Sequence, residues 1–138
     1  MADTYVIFAN KSMAQAASEA LFDVTRPKNK RDPADISCDC FPVYEHPEQA
    51  KLGAIEFPSP DDFDFVSDPE NEDDTSPALT AIDLAFAPVV SNGKGDALRI
   101  LIRNNRKFRI RMILNLIDQD AKMTRAQMVV DGWFPEDS

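Results

Sequence analysis

Several ingredients that would announce a particular chemistry are scarce or missing in this chain. No apolar run approaches the roughly 20 residues of a membrane-spanning helix. The opening Met1-Ala2-Asp3-Thr4 sets no basic stretch ahead of Tyr5-Val6-Ile7-Phe8, so a secretory signal is not expected. There are only two cysteines, Cys38 and Cys40. Thiols two residues apart make poor disulfide geometry, and such sparse usage without a signal fits a reducing compartment. The expected location is the cytoplasm, or the virion if the source is viral. No internal repeat occurs, and Gly93-x-Gly95 lacks the rest of a phosphate-binding loop. Most telling, no lysine or arginine lies between Leu52 and Gly93.

What is present suffices for a folded core. A chain of 138 residues, 43% hydrophobic and 28% charged, has the size and composition of one domain. It can bury roughly two thirds of the surface its unfolded form exposes, without a metal or disulfide. We expect a single α+β domain over residues 1–138. Thr4 to Ala9, short and rich in β-branched and aromatic residues, predicts a strand. Ser12 and Gln15 match a capping box, and Met13, Ala16, Ala17, Ala20 and Leu21 recur at helical spacing. A helix over about Met13 to Phe22 follows.

Nine of the ten prolines lie between Thr25 and Pro88, which predicts a proline-rich, irregular middle. Within it Ile36–Tyr44 and Leu52–Phe57 are candidate short strands. The acidic stretch Ser59–Pro77 reads as exposed, with a long loop from Ser67 to Ser76.

The C-terminal half reads as an antiparallel meander. Ile82, Leu84 and Phe86 alternate along one strand, then Leu98, Ile100 and Ile102, then Phe108, Ile110, Met112 and Leu114. Asn92-Gly93 supplies a hairpin turn between the first two. A competing helix from Lys107 to Lys122 would align Ile110, Ile113, Leu114, Ile117 and Ala121, but the polar turn and the β-branched content favour strand. Thr124 to Phe134 ends this stretch as a strand, or as a short helix capped by Thr124 with Gln127 three residues on.

The charge is unevenly spread. Ten acidic residues (Glu56, Asp61, Asp62, Asp64, Asp68, Glu70, Glu72, Asp73, Asp74 and Asp83) fall between Leu52 and Gly93. The other fourteen acids meet fifteen bases, so the formal −9 is an acidic strap on a nearly neutral body. Six of the bases (Arg99, Arg103, Arg106, Lys107, Arg109 and Arg111) crowd into thirteen residues. On a hairpin, Arg99, Arg103, Arg109 and Arg111 would share one sheet face with Arg106 and Lys107 at the turn, and such a face is either solvated or seeks an anionic partner. The candidates are the chain's own acidic segment, that of a second copy, or nucleic acid. Nucleic acid is the weakest of the three, because the basic strands lack an aromatic platform and the net charge opposes phosphates.

Little in the sequence points to catalytic or metal chemistry. Cys38, Cys40 and His46 do not match a structural zinc spacing, and a second cysteine pair is missing. His46, the sole histidine, sits in Tyr44-Glu45-His46-Pro47-Glu48, and a surface loop is the plain reading beside a general-base one. Aligning Asp68, Glu70 and Glu72 to a calcium loop puts Asp73 where glycine is required and Leu79 where a glutamate is. No catalytic residue, metal ligand or cofactor is therefore expected. Trp133 and Phe134 either pack on the sheet or anchor the chain in a neighbour.

The sequence thus points away from enzymes and membranes towards protein partners. The expectation is a non-enzymatic assembly or structural protein, a homo-oligomer or a subunit of a larger particle such as a virion. Asp61, Asp62, Asp64, Asp68, Glu70, Glu72, Asp73 and Asp74 would form its acidic contact, and the six clustered bases its basic one. The alternative is a small acidic regulator that imitates nucleic-acid charge and binds a basic protein.

Overall fold

The computed structural model describes residues 4–26, 41–49, 52–59, 77–90 and 106–134, those at 77–80 and 106–109 by their backbone alone. The described residues form an α+β fold built on a four-stranded antiparallel sheet. Its strands are β1 (Thr4–Phe8), β2 (Val43–Glu45), β3 (Gly53–Phe57) and β4 (Lys122–Met123), in spatial order β2-β3-β1-β4. The helices are α1 (Lys11–Thr25), α2 (Pro77–Phe86), α3 (Arg106–Leu116) and α4 (Arg125–Val130). None of these is long and apolar enough to cross a membrane.

β1 is the centre of the sheet. It pairs along its whole length with β3, Tyr5 opposite Glu56 and Val6 opposite Ile55, and briefly with β4 through Tyr5 and Val6. Because strand side chains alternate, this register sorts residues onto two faces. Val6, Phe8, Ile55 and Phe57 point to the inner face and join Leu21, Val24, Ile82, Phe86, Ile110 and Ile113 in the larger core. Tyr5 and Ala54 point to the outer face, where Met128 and Trp133 complete a smaller one.

α1 begins earlier than its periodicity suggests. Asn10, in extended conformation, caps it by accepting the Met13 amide at 2.9 Å, so Ser12 already lies inside the first turn. Gln15 reaches forward to Glu19 at 3.5 Å. The buried stripe is turned accordingly to Ala14, Ala17, Ser18 and Leu21, and Ala16 is exposed. The Ser18 hydroxyl, fully buried, donates to the Phe41 carbonyl at 2.6 Å, as a polar group in a core requires. The small residues let α1 press onto the sheet: a Cβ on Gly53 would lie 2.7 Å from the Lys11 Cα.

The C-terminal meander is not what these residues form. Residues 77–86, expected to contain a strand, are the helix α2. Pro77 opens it, where a preset φ and a missing N–H cost nothing, and Ala81 and Ala85 within it are strong helix formers. Ile82 and Phe86, one turn apart, are buried, and Leu84 is 68% exposed. Phe86 meets Phe8 at 6.0 Å and Phe57 at 5.6 Å between ring centroids.

Residues 106–116 are likewise helical. Ile110, Ile113 and Ile117 are buried at the spacing of the competing pattern, because packing of one apolar stripe against neighbouring helices outweighs β-branched propensity. The hairpin reading of the arginines falls with it: Arg109 and Arg111 stand about 200° apart around a helix. The sheet is instead assembled from the N-terminal strand, two strands of the middle segment and one edge pair near the C-terminal end. The Asn92-Gly93 turn and the strand at Leu98–Ile102 lie outside the described residues, as do Ile36–Cys40 and 60–76. Of the acidic stretch, Ser59 is buried and Pro77 belongs to α2.

Candidate functional site

The outer face of the sheet gathers side chains with chemistry in reach. Among the described residues its cover is one stretch, β4 with α4 and the two residues Trp133 and Phe134. α4 is only six residues long but closed at both ends. Thr124 and Gln127 form a reciprocal capping box. At the other end Gly132, at φ 88°, donates to Val129, and Trp133 donates to Met128. This is the paired-bond termination that needs a left-handed residue, hence glycine.

Under this cover Tyr5 is 1% exposed. Its hydroxyl donates to Glu56 Oε1 at 2.8 Å and accepts from Arg125 Nη1 at 3.1 Å. Burial is the main cause that pushes the phenol up to about 12 from an ordinary 10.0; the Arg125 hydrogen bond opposes the rise and the Glu56 carboxylate adds to it. The group is a neutral hydroxyl bridging an acid and a base. Phe134 stacks edge-on to Tyr44 at 4.9 Å and Tyr5 at 5.6 Å, and the Arg125 guanidinium lies 4.4 Å above its ring centroid, within cation–π range.

His46 is the second fastening. It is 3% exposed rather than on the surface. Its Nδ1 accepts the amides of Glu48 and Gln49 at 3.1 and 3.0 Å. That leaves Nε2 to donate to the Asp131 carbonyl at 2.8 Å, which assigns the tautomer. The ring meets Trp133 edge-on at 4.9 Å, and the indole N–H donates to Asp131 Oδ2 at 3.0 Å. With both nitrogens committed, His46 has no lone pair to offer a substrate. The arrangement fastens a terminal segment to a sheet.

The residues singled out from sequence distribute as follows. Trp133 is 3% exposed in the chain's own core and Phe134 half-buried against it. Asp61, Asp62, Asp64, Asp68, Glu70, Glu72, Asp73 and Asp74 lie outside the described residues, with Arg99 and Arg103. Arg106, Lys107 and Arg109 are on α3, and Arg111 is exposed there. α2, which closes the acidic segment, packs against α3, which carries four of the clustered bases. Cys38 and Cys40 lie outside the described residues, and among those described no group of three metal-ligating side chains occurs. Sequence reasoning missed Tyr5, Glu56 and Arg125. Their only early signal was that a tyrosine in a central strand needs a partner for its hydroxyl.

No family model matches the chain, and no curated protein or solved structure shows significant similarity to it.

Proposed function

We propose that the chain is a non-enzymatic structural or assembly protein, a subunit of a larger multi-protein particle in the cytoplasm or in a virion. The observation that carries this reading is the separation of charge along the sequence. Ten carboxylates and no base fill Leu52–Gly93, against a nearly neutral remainder with six clustered bases. Opposite charges on different patches favour head-to-tail contacts between copies, which close into rings or run on as filaments. Light scattering after size exclusion tests the reading, at low and high salt. Assembly that weakens with salt is expected. A strict monomer at high concentration and low salt, with no partner captured, would sink it.

The density of carboxylates also supports a second reading, an acidic regulator that binds a basic protein by imitating nucleic-acid charge. It requires that replacing Asp61, Asp62 and Asp64 together by asparagine weaken a salt-sensitive complex. An unchanged affinity would remove it.

A further inference from the structure

We propose that an open groove at the end of the central strand receives a second copy of this chain, through that copy's stretch Leu98–Arg103. The inference rests on the assembly reading and names the two surfaces joined. The groove holds about 290 Å³, where the end of β1, the start of α1, the turn before β3, the short 3-10 turn after α2 and the turn after α3 converge. Ile7, Met13 and Leu52, half-buried, and Val89, buried, line it with apolar surface. Asp118 and Asp120 add two carboxylates to the same lining.

No lysine or arginine is among the described residues that line the groove. Among the described residues, neither carboxylate has a hydrogen-bond or ion-pair partner. Water alone would solvate the acids but leave the apolar lining wet, and a purely basic ligand would do the same. The occupant that satisfies both carries apolar side chains with cations beside them.

This chain contains such a segment in Leu98-Arg99-Ile100-Leu101-Ile102-Arg103. The charges are complementary to the groove's, so they favour encounter and set the orientation of docking. A groove on one copy that takes a different segment of the next is a heterologous contact. That is the geometry the assembly reading requires.

The test uses the full chain with a synthetic peptide of residues 97–105 as probe. Amide shifts should move at Ile7, Leu52 and Ala121. The double variant Asp118→Asn, Asp120→Asn should bind the peptide at least tenfold more weakly, and its native mass at low salt should fall towards that of a single chain. A peptide with glutamine for Arg99 and Arg103 should not bind. Far-ultraviolet circular dichroism checks that the double variant is folded. A peptide that leaves these amides unmoved, or binds the double variant equally well, overturns the inference while salt-dependent assembly of the native chain would still stand. Binding to a chain that stays monomeric removes the second copy as occupant, and the assembly reading with it.

Discussion

The two faces of the sheet are held by different physics. The inner face is a large apolar core, in which Phe8, Phe57, Phe86, Leu21, Ile55 and Ile113 are all essentially buried and filled volume is the stabilising quantity. The outer face is thin. Among the described residues its cover is one short segment, and its polar contacts are directional: Tyr5 to Glu56 and Arg125, and His46 to Asp131 and the amides of Glu48 and Gln49. An apolar core tolerates some rearrangement as long as volume is kept. A fastening made of oriented bonds fails when one partner is removed, because the other is left buried and unsatisfied. The inner face should therefore set global stability, and the outer face the attachment of one segment. The single tryptophan, Trp133, lies in the outer layer, so fluorescence reports that layer while far-ultraviolet circular dichroism reports the helices of the other.

Phe57→Ala should have the largest effect. It removes a ring packed against Phe86 at the middle of the inner core, and such truncations cost about 4 kcal/mol. Denaturant titration should show both signals shifting together. If fluorescence alone moved, the inner face would not be the global unit.

Gly53→Ala tests the same face from the opposite direction, by crowding. The added methyl would meet backbone at 2.7 Å, so α1 must shift, at about 3 kcal/mol. An unchanged midpoint would show that the close approach of α1 to β3 carries no weight.

His46→Ala should cost less, about 2 kcal/mol, by leaving the Asp131 carbonyl and two amides without their partner. Here the two probes should separate, Trp133 emission shifting to the red at lower denaturant than the circular dichroism transition. Coincident transitions would mean that the two faces unfold as one.

Tyr5→Phe is the gentlest change, about 1 kcal/mol for one bridging hydroxyl, and it carries a signature in pH. With its value raised to about 12 from 10.0, the folded protein holds the Tyr5 proton more tightly than the unfolded chain does. Stability from this group is complete below pH 10 and is lost as pH rises towards 12. The native chain should therefore lose more stability than Tyr5→Phe between pH 10 and 12. Parallel losses in the two proteins would show that the buried phenol is not responsible.

Local signals in the sequence mostly held where they concerned backbone chemistry, the exception being the cap expected at Ser12, which Asn10 supplies two residues earlier. The strand at Thr4–Phe8, the helix behind it, the short strand at Gly53–Phe57 and the Thr124–Gln127 capping box were legible, because each depends on neighbours within a few residues. Patterns of apolar residues were less decisive. Ile82, Leu84 and Phe86 fit a strand on paper, yet helix and strand periods coincide over so short a run. The stripe Ile110, Ile113 and Ile117 also fitted a helix, and packing made the choice. The fastening on the outer face was illegible for a different reason: Tyr5, Glu56 and Arg125 are 51 and 120 residues apart in pairwise bonds, and nothing local records such a meeting.

What the sequence determined by itself, then, is the absence of lysine and arginine over Leu52–Gly93 and the crowding of six bases into thirteen residues, since charge is counted from residues alone. The Thr124–Gln127 cap and the strands at Thr4–Phe8 and Gly53–Phe57 belong with it, being set within a turn or two. Only the tertiary structure decided that the middle and C-terminal apolar segments at 77–86 and 106–116 are helices. It also decided that His46 is buried between its own turn and Asp131, and that Tyr5 bridges two charges beneath a terminal cover. Those outcomes follow from which surfaces meet, and a short segment has the same intrinsic preferences whatever it meets.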